Sequence, residues 1–223
     1  MKNDFTKTNL FSCPIYKIRI DPNLYDKEKI INDIKYNKSL KNTRNETHQI
    51  IGGSVSDIHH SYNDFDNKNF RSIDYEKLTD VYLEIYKEFF SKELYAVKEF
   101  GFQFKIVNYS AITEGQWLPV HNHMENDDFA TVHYLNFKND HALTCFYNPA
   151  TFAQYIKYIR PKMYNISDNM VSENSYLYEL FTFPVKEDDM IIFPAALNHE
   201  IAPQGPTKEP RITISSNIKI EGL

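Results

Sequence analysis

Cysteine is nearly absent: Cys13 and Cys145 are the only two among 223 residues, and they stand far apart in the chain. That excludes a disulfide framework and fits a reduced, cytoplasmic setting. No apolar stretch approaches the roughly twenty residues needed to span a membrane. The opening residues, Met1 to Phe11, hold no apolar core of a secretion signal. A soluble protein without membrane contact is therefore expected. No run of Lys or Arg resembles a phosphate-tracking surface, and the formal net charge is −5. Nucleic acid is thus disfavoured as a partner, although Lys157, Arg160 and Lys162 form a local basic patch. Internal repeats and low-complexity tracts are also missing. Aromatic residues, by contrast, are plentiful. Sixteen Tyr and sixteen Phe bring large areas to bury and material to line a pocket for a planar or apolar ligand. The length suits one domain with a substantial core, and two would be cramped.

The hydrophobic pattern divides this domain into a supporting part, 1–100, and a β-rich core, 101–220. Residues 14–20 alternate apolar and polar as a half-buried strand does. Asp26 to Tyr36 carries Ile30, Ile31 and Ile34 at helical spacing. Residues 38–70 read as loop with a short strand at Ile50–Ile51. Asp74 to Glu93 is the clearest helix, with Leu78, Val81, Tyr82, Ile85, Phe89 and Phe90 on one stripe and Ser72 or Asp74 as its cap. After Gly101 the period changes to two. Strands are expected at 102–112, 129–137, 142–147, 176–183, 190–193 and 211–220. Helices first and strands afterwards imply a β-sandwich or barrel with helices on one outer face. The Tyr-rich stretch 151–174 interrupts this rhythm, as either a packed surface loop or a substrate lid.

Three segments carry chemistry. The first is Gly115-Gln116 followed by His121-Asn122-His123. The second is Asp189 to Pro194 followed by His199, and the third is Arg211-Ile212-Thr213. A facial metal triad needs three ligands on one face of the ion. Two residues spaced by two on extended backbone point the same way, and a third ligand comes from a distant strand. His121, His123 and His199 meet that requirement. Arg211 and Thr213 share one strand face, opposite Ile212 and Ile214. An inward Arg211 would be costly without an anion to pair with, and a planar guanidinium suits a carboxylate.

Together these segments resemble the 2-oxoglutarate/Fe(II) oxygenases, in particular a group common in phages and marine bacteria, and more distantly the prolyl 4-hydroxylases. Tyr109 with Gly115-Gln116…His121 is similar to the lead-in to the first iron histidine. Residues 131–136 resemble the strand that follows, 189–199 the segment ending in the distal histidine, and 211–218 the cosubstrate strand. The likeness covers 102–218, with a weaker match at 10–16. It implies a mainly β fold, a double-stranded β-helix (jelly roll) with N-terminal supporting α-helices. It also implies Fe(II) held by His121, His123 and His199, with 2-oxoglutarate held by Arg211, Thr213 and Tyr109. Oxygen would be consumed to hydroxylate an unactivated C–H bond of a peptide or protein side chain, an amino acid or a small metabolite.

The family motif is His-x-Asp or His-x-Glu, whereas this chain has His121-x-His123. Three ligand sets stay open: three histidines; His123-x-Glu125 with His199; or His121 with Asp127 or Asp128 and His199. The other histidines, His59, His60, His133 and His141, read as hydrogen-bonded core. Trp117 reads as core beneath the iron loop. Glu187-Asp188-Asp189 reads as a turn ahead of a strand. Two other classes remain: a cupin-like metal-binding jelly-roll protein with a different activity, and a non-catalytic binding protein. A homodimer is compatible with the sequence.

Overall fold

The computed structural model describes residues 5–10, 13–40, 49–51, 54–56, 58–61, 68–94, 101–124, 127–149 and 180–221. The 151–174 stretch lies outside them. Strand β1 (Phe5–Leu10) pairs with β2 (Cys13–Arg19), and a 3-10 turn at Pro22–Leu24 leads into helix α1 (Lys27–Ser39). Short strands β3 (Gln49–Ile51), β4 (Ser54–Ser56) and β5 (His59–His60) precede helix α2 (Glu76–Lys92). The β-rich part follows as β6 (Gly101–Ile112), β7 (Leu118–His121), β8 (Phe129–Asn136), β9 (Thr144–Tyr147), β10 (Leu180–Thr182), β11 (Asp189–Pro194), β12 (His199–Ile201) and β13 (Arg211–Glu221). No helix among the described residues is long and apolar enough to cross a membrane.

Two antiparallel sheets make the body of the protein. The larger has the order β1-β2-β11-β8-β13-β6-β5 and the smaller β10-β9-β12-β7, with β3 and β4 forming a separate ladder. Both helices cover one face of the larger sheet. In α2 the spacing of Leu78, Tyr82, Ile85, Tyr86, Phe89 and Phe90 puts all six on one buried stripe. The Asp74 carboxylate accepts from the Glu76 amide at 3.1 Å and so satisfies a donor at the helix start. In α1, Ile30, Ile31 and Ile34 do the same, and the Lys38 ammonium reaches the Ala111 carbonyl at 2.9 Å to fasten the helix to β6. Each such buried side chain contributes roughly 1.5–3 kcal/mol.

Alternation on the central strands serves two layers at once. Leu135, Met190, Ile192, Ile212, Ile214 and Ile218 face the helices. Their neighbours Ala130, Tyr134, Ile191 and Phe193 face the smaller sheet, where they meet Phe146 and Leu197. The alternation of β6 is broken at one point. Pairing of β13 with β6 steps from Ser215↔Asn108 to Ser216↔Ile106, which leaves Val107 as an unpaired bulge. Phe102, Phe104 and Ile106 lie against the helices before it, and Tyr109 and Ala111 after it.

The acidic run 187–189 forms the tight turn expected of it. Asp188 takes a positive φ of 69°, and the Asp189 carboxylate accepts from the Lys186 amide at 2.7 Å. Lys27 pairs with Asp188 at 2.5 Å and with Glu187 at 2.9 Å. Burial raises the Glu187 pKa, but Lys138 and Lys27 outweigh it and bring the carboxyl down to about 2.

Candidate active site

The path to the site begins at a turn. Gly115 adopts φ +79°, which only glycine takes without strain, and its amide donates to the Gln204 carbonyl at 2.8 Å. The Gln116 side-chain oxygen accepts from the amide and hydroxyl of Thr113 at 2.9 and 3.0 Å, closing the loop. The chain leaves this turn as β7, whose last residue, His121, is the cross-strand partner of His199 on β12. His123 lies two residues past the strand end. Its amide donates to the Ala195 carbonyl at 2.8 Å, which brings its ring back beside the other two.

One ring nitrogen from each of His121, His123 and His199 falls in a group with all members within 4.8 Å of one another. Ring centroids are 4.2 Å apart for His121–His199 and 5.3 Å for each pair involving His123. Nδ1 of His121 lies 2.8 Å from the Pro119 carbonyl, and Nδ1 of His199 lies 2.9 Å from the Leu197 carbonyl. A carbonyl only accepts, so Nδ1 carries the proton in both and Nε2 keeps a free lone pair. Phe146 and Phe193 flank His199 and keep it dry, with centroids 5.8 and 4.9 Å away. Burial lowers the pKa of all three rings. It brings His123 to about 4, with help from His121 and against Asp127. His199 is driven well below the ordinary range by burial and then by the other two imidazoles, and His121 is lowered by burial. Neutral imidazole is the metal-binding form.

The two carboxylate alternatives fare differently. Asp127 accepts from the Asn217 amide nitrogen at 2.6 Å, and Asp128 accepts from the Ile220 amide at 2.7 Å. Both are thus turned onto β13, and neither joins the histidine group. Glu125 lies outside the described residues.

A cavity of about 450 Å³ opens between the sheets beside these rings. Arg211 lines it with no measurable exposure. Its guanidinium donates to the Ala142 carbonyl at 3.0 Å and makes longer contacts with the hydroxyls of Thr144 (3.4 Å) and Thr213 (3.5 Å). Tyr134 and Phe137 present their rings at 5.1 and 6.0 Å. No carboxylate among the described residues pairs with it within 4.0 Å. Burial pulls its pKa down, opposed by Tyr134. A buried cation whose contacts are all neutral is an electrostatic deficit that an anion would fill. Thr213 completes this corner, its hydroxyl 2.8 Å from that of Ser110.

Tyr109 lies elsewhere. The bulge at Val107 turns it onto the helix face of β6, where it is fully buried, with its hydroxyl 3.1 Å from His59 Nε2 and 3.4 Å from the Asn37 amide nitrogen. It does not line the cavity. His133 is also on the helix side, with Nδ1 2.9 Å from the Tyr82 hydroxyl. His141 braces a loop: its Nδ1 accepts from the Lys138 amide at 3.0 Å, and its Nε2 lies 3.0 Å from the Glu209 carbonyl. The backbone of His60 pairs with Ser110, and its side chain is outside the described part. Trp117 is half-buried rather than core. Sequence reasoning missed Lys105, Asn108, Ser110 and Thr144 as cavity residues. It also missed Asn217, which the two-residue period of β13 beyond Thr213 and Ser215 already marked.

No family model and no curated protein sequence matches the chain. Solved structures do. A prolyl hydroxylase from Trichoplax adhaerens, determined with a hypoxia inducible factor oxygen degradation domain peptide fragment, is 11% identical with a TM-score of 0.51, covering 98% of this chain and 84% of its own. A Pseudomonas putida prolyl-4-hydroxylase is 10% identical with a TM-score of 0.50, covering 99% and 95%. An oxidoreductase of the 2OG-Fe(II) oxygenase family from Burkholderia pseudomallei is 9% identical with a TM-score of 0.39. That match takes in 55% of this chain and about half, 47%, of the other. At such identities the likeness to the first two is one of fold alone.

Proposed function

We propose that the protein is an Fe(II)- and 2-oxoglutarate-dependent oxygenase that hydroxylates a C–H bond, built on a double-stranded β-helix. In support of that architecture, β6 to β13 distribute themselves between the two sheets in the order large, small, large, small, small, large, small, large. The observation that carries the functional reading is Arg211, a fully buried guanidinium in the cavity that the three histidines share, whose partners among the described residues are all neutral. A dicarboxylate reaching from the histidines to Arg211 would supply the anion that this cation lacks.

The donor set fits a divalent borderline metal, since three neutral imidazoles within 4.8 Å can be drawn onto one ion by small ring movements. His121, His123 and His199 would hold it. The carbonyls of Pro119 and Leu197 fix the tautomer and aim of two of the rings, the usual work of groups behind a metal ligand. Bound there, Fe(II) supplies the activation of O2 that couples decarboxylation of 2-oxoglutarate to hydroxylation. Arg211 receives the far carboxylate of the cosubstrate in a two-pronged, charge-assisted contact, with Thr213 adding a hydroxyl. Leu118, Val132 and Ile201 line the same cavity and limit water there.

The test is succinate release from 2-oxoglutarate by protein reconstituted anaerobically with Fe(II), alongside metal analysis. We expect Fe(II)-dependent succinate in the native protein, and loss of both metal and succinate in His199→Ala. Among the described residues no carboxylate joins the histidine group, and that favours one rival, a cupin-like metal protein with another activity. In that case the native protein holds metal in stoichiometric amount, yet 2-oxoglutarate neither binds nor is consumed.

A further inference from the structure

The floor of the cavity is a polar strip where a sheet interior is ordinarily apolar. Arg211, Thr213, Ser215 and Asn217 follow one another along β13, and Ser110, Asn108 and Lys105 stand beside them on β6, all facing the cavity. Asn217 lies six residue steps beyond Arg211, so the strip is about 20 Å long. A five-carbon dicarboxylate anchored at Arg211 occupies only the closed end. The rest of the strip is left for another ligand.

Its far end has a defined chemistry. Lys105 and Asn217 are direct cross-strand partners, so their side chains rise next to each other. No carboxylate pairs with Lys105 within 4.0 Å among the described residues. Asp127, beside this rung, has turned to Asn217, whose Nδ2 donates to it at 2.6 Å. That bond fixes the amide, because a carboxylate only accepts, and leaves Oδ1 as the acceptor. Asn217 is 6% exposed, and its Oδ1 is buried with no hydrogen-bond donor among the described residues. The negative charge behind Nδ2 polarises the amide and strengthens Oδ1 as an acceptor. The rung therefore offers a cation and an unfilled acceptor side by side. A cation on one side, and on the other an acceptor backed by the Asp127 carboxylate, match a carboxylate with an ammonium next to it.

Resting on the oxygenase reading, we infer that the substrate is an α-amino acid, its carboxylate held by Lys105 and its amine by Asn217. Its side chain would then extend along Asn108 and Ser215 toward the histidines. The experiment uses metal-loaded full-length protein with 2-oxoglutarate, and a pool of the twenty L-amino acids as probe. Binding is read by saturation-transfer NMR and stimulation by succinate release. At least one amino acid should bind and stimulate, while its carboxamide should not. In Lys105→Met and Asn217→Leu its apparent KM should rise about fivefold to tenfold, with 2-oxoglutarate affinity retained. The proposal is overturned if no amino acid binds, if the carboxamide serves equally well, or if neither variant changes the response. A parallel calorimetric titration with 2-oxoglutarate tells the two failures apart. If the native protein binds 2-oxoglutarate but no amino acid, only the substrate assignment falls; if 2-oxoglutarate itself fails to bind, the oxygenase reading falls first.

Discussion

Replacing Arg211 with methionine separates a ligand anchor from a structural cation, because the two roles move stability and binding in different ways. The side chain is fully buried, and its partners are one carbonyl and two hydroxyls. Methionine fills a similar volume, so little cavity is created. The Ala142 carbonyl loses its donor, which costs about 1–3 kcal/mol. Removing a desolvated, unpaired charge returns a comparable amount, about 1–4 kcal/mol. The net change in folding stability should lie within about 2 kcal/mol of zero, a shift in Tm of no more than about 6 °C for a domain of this size. Cosubstrate binding should respond much more strongly. Two charge-assisted hydrogen bonds, even at the low end of their worth, amount to roughly 3 kcal/mol, or about 100-fold in Kd. Calorimetric titration of 2-oxoglutarate into metal-loaded, oxygen-free protein measures the second quantity, and differential scanning calorimetry of the metal-free protein the first. Arg211→Lys should recover only part of the affinity, since an ammonium cannot reproduce the fork. A large fall in Tm with unchanged 2-oxoglutarate affinity would refute the reasoning and make Arg211 a strut.

Two more outcomes are expected of the site and the core. His123→Ala should lose stoichiometric metal while Asp127→Asn and Glu125→Gln keep it; metal analysis showing the reverse would restore a carboxylate to the ligand set. The metal-free protein should also lose stability in acid. Burial, and then Lys27, lowers the His133 pKa to about 3 from its ordinary 6.5. The unfolded chain therefore binds the extra proton first, and stability is lost as pH falls below about 6.5 toward 3. At roughly 1.4 kcal/mol per pH unit, His133 alone removes about 3 kcal/mol by pH 4.5. The three site imidazoles, lowered as well, act in the same direction. Urea melts at pH 7 and pH 4.5 check the slope, and a midpoint that does not change with pH would contradict it.

The long elements were legible because their periodicity is strong. The stripe from Leu78 to Phe90 and the alternation in Arg211 to Ile218 each have one physical reading. Strands β7 and β12 were not legible as strands. They are four and three residues long, too short for a period to register, and tertiary pairing alone defines them. The histidines they carry were nevertheless found, because ligand chemistry and spacing mark residues without needing a strand. His123 converges for a reason that spacing does not supply, namely the hydrogen bond of its amide to Ala195 beyond the end of β7. Tyr109 was assigned to the cosubstrate by the family resemblance, whereas the structure sets it on the helix face of β6, beyond a bulge at Val107 that leaves no mark in an isolated sequence.

That bulge acts as a reading-frame shift within a strand. Ahead of Val107 the odd-numbered Lys105 looks into the cavity, and after it the even-numbered Asn108 and Ser110 do. Removing Val107 would restore plain alternation, because Asn108 would follow Ile106 directly and still stand opposite Ser215. Asn108 and Ser110 would keep the cavity wall, and Tyr109 and Ala111 would stay against the helices. One backbone residue with no pairing partner thus keeps the two ends of the cavity in opposite parity.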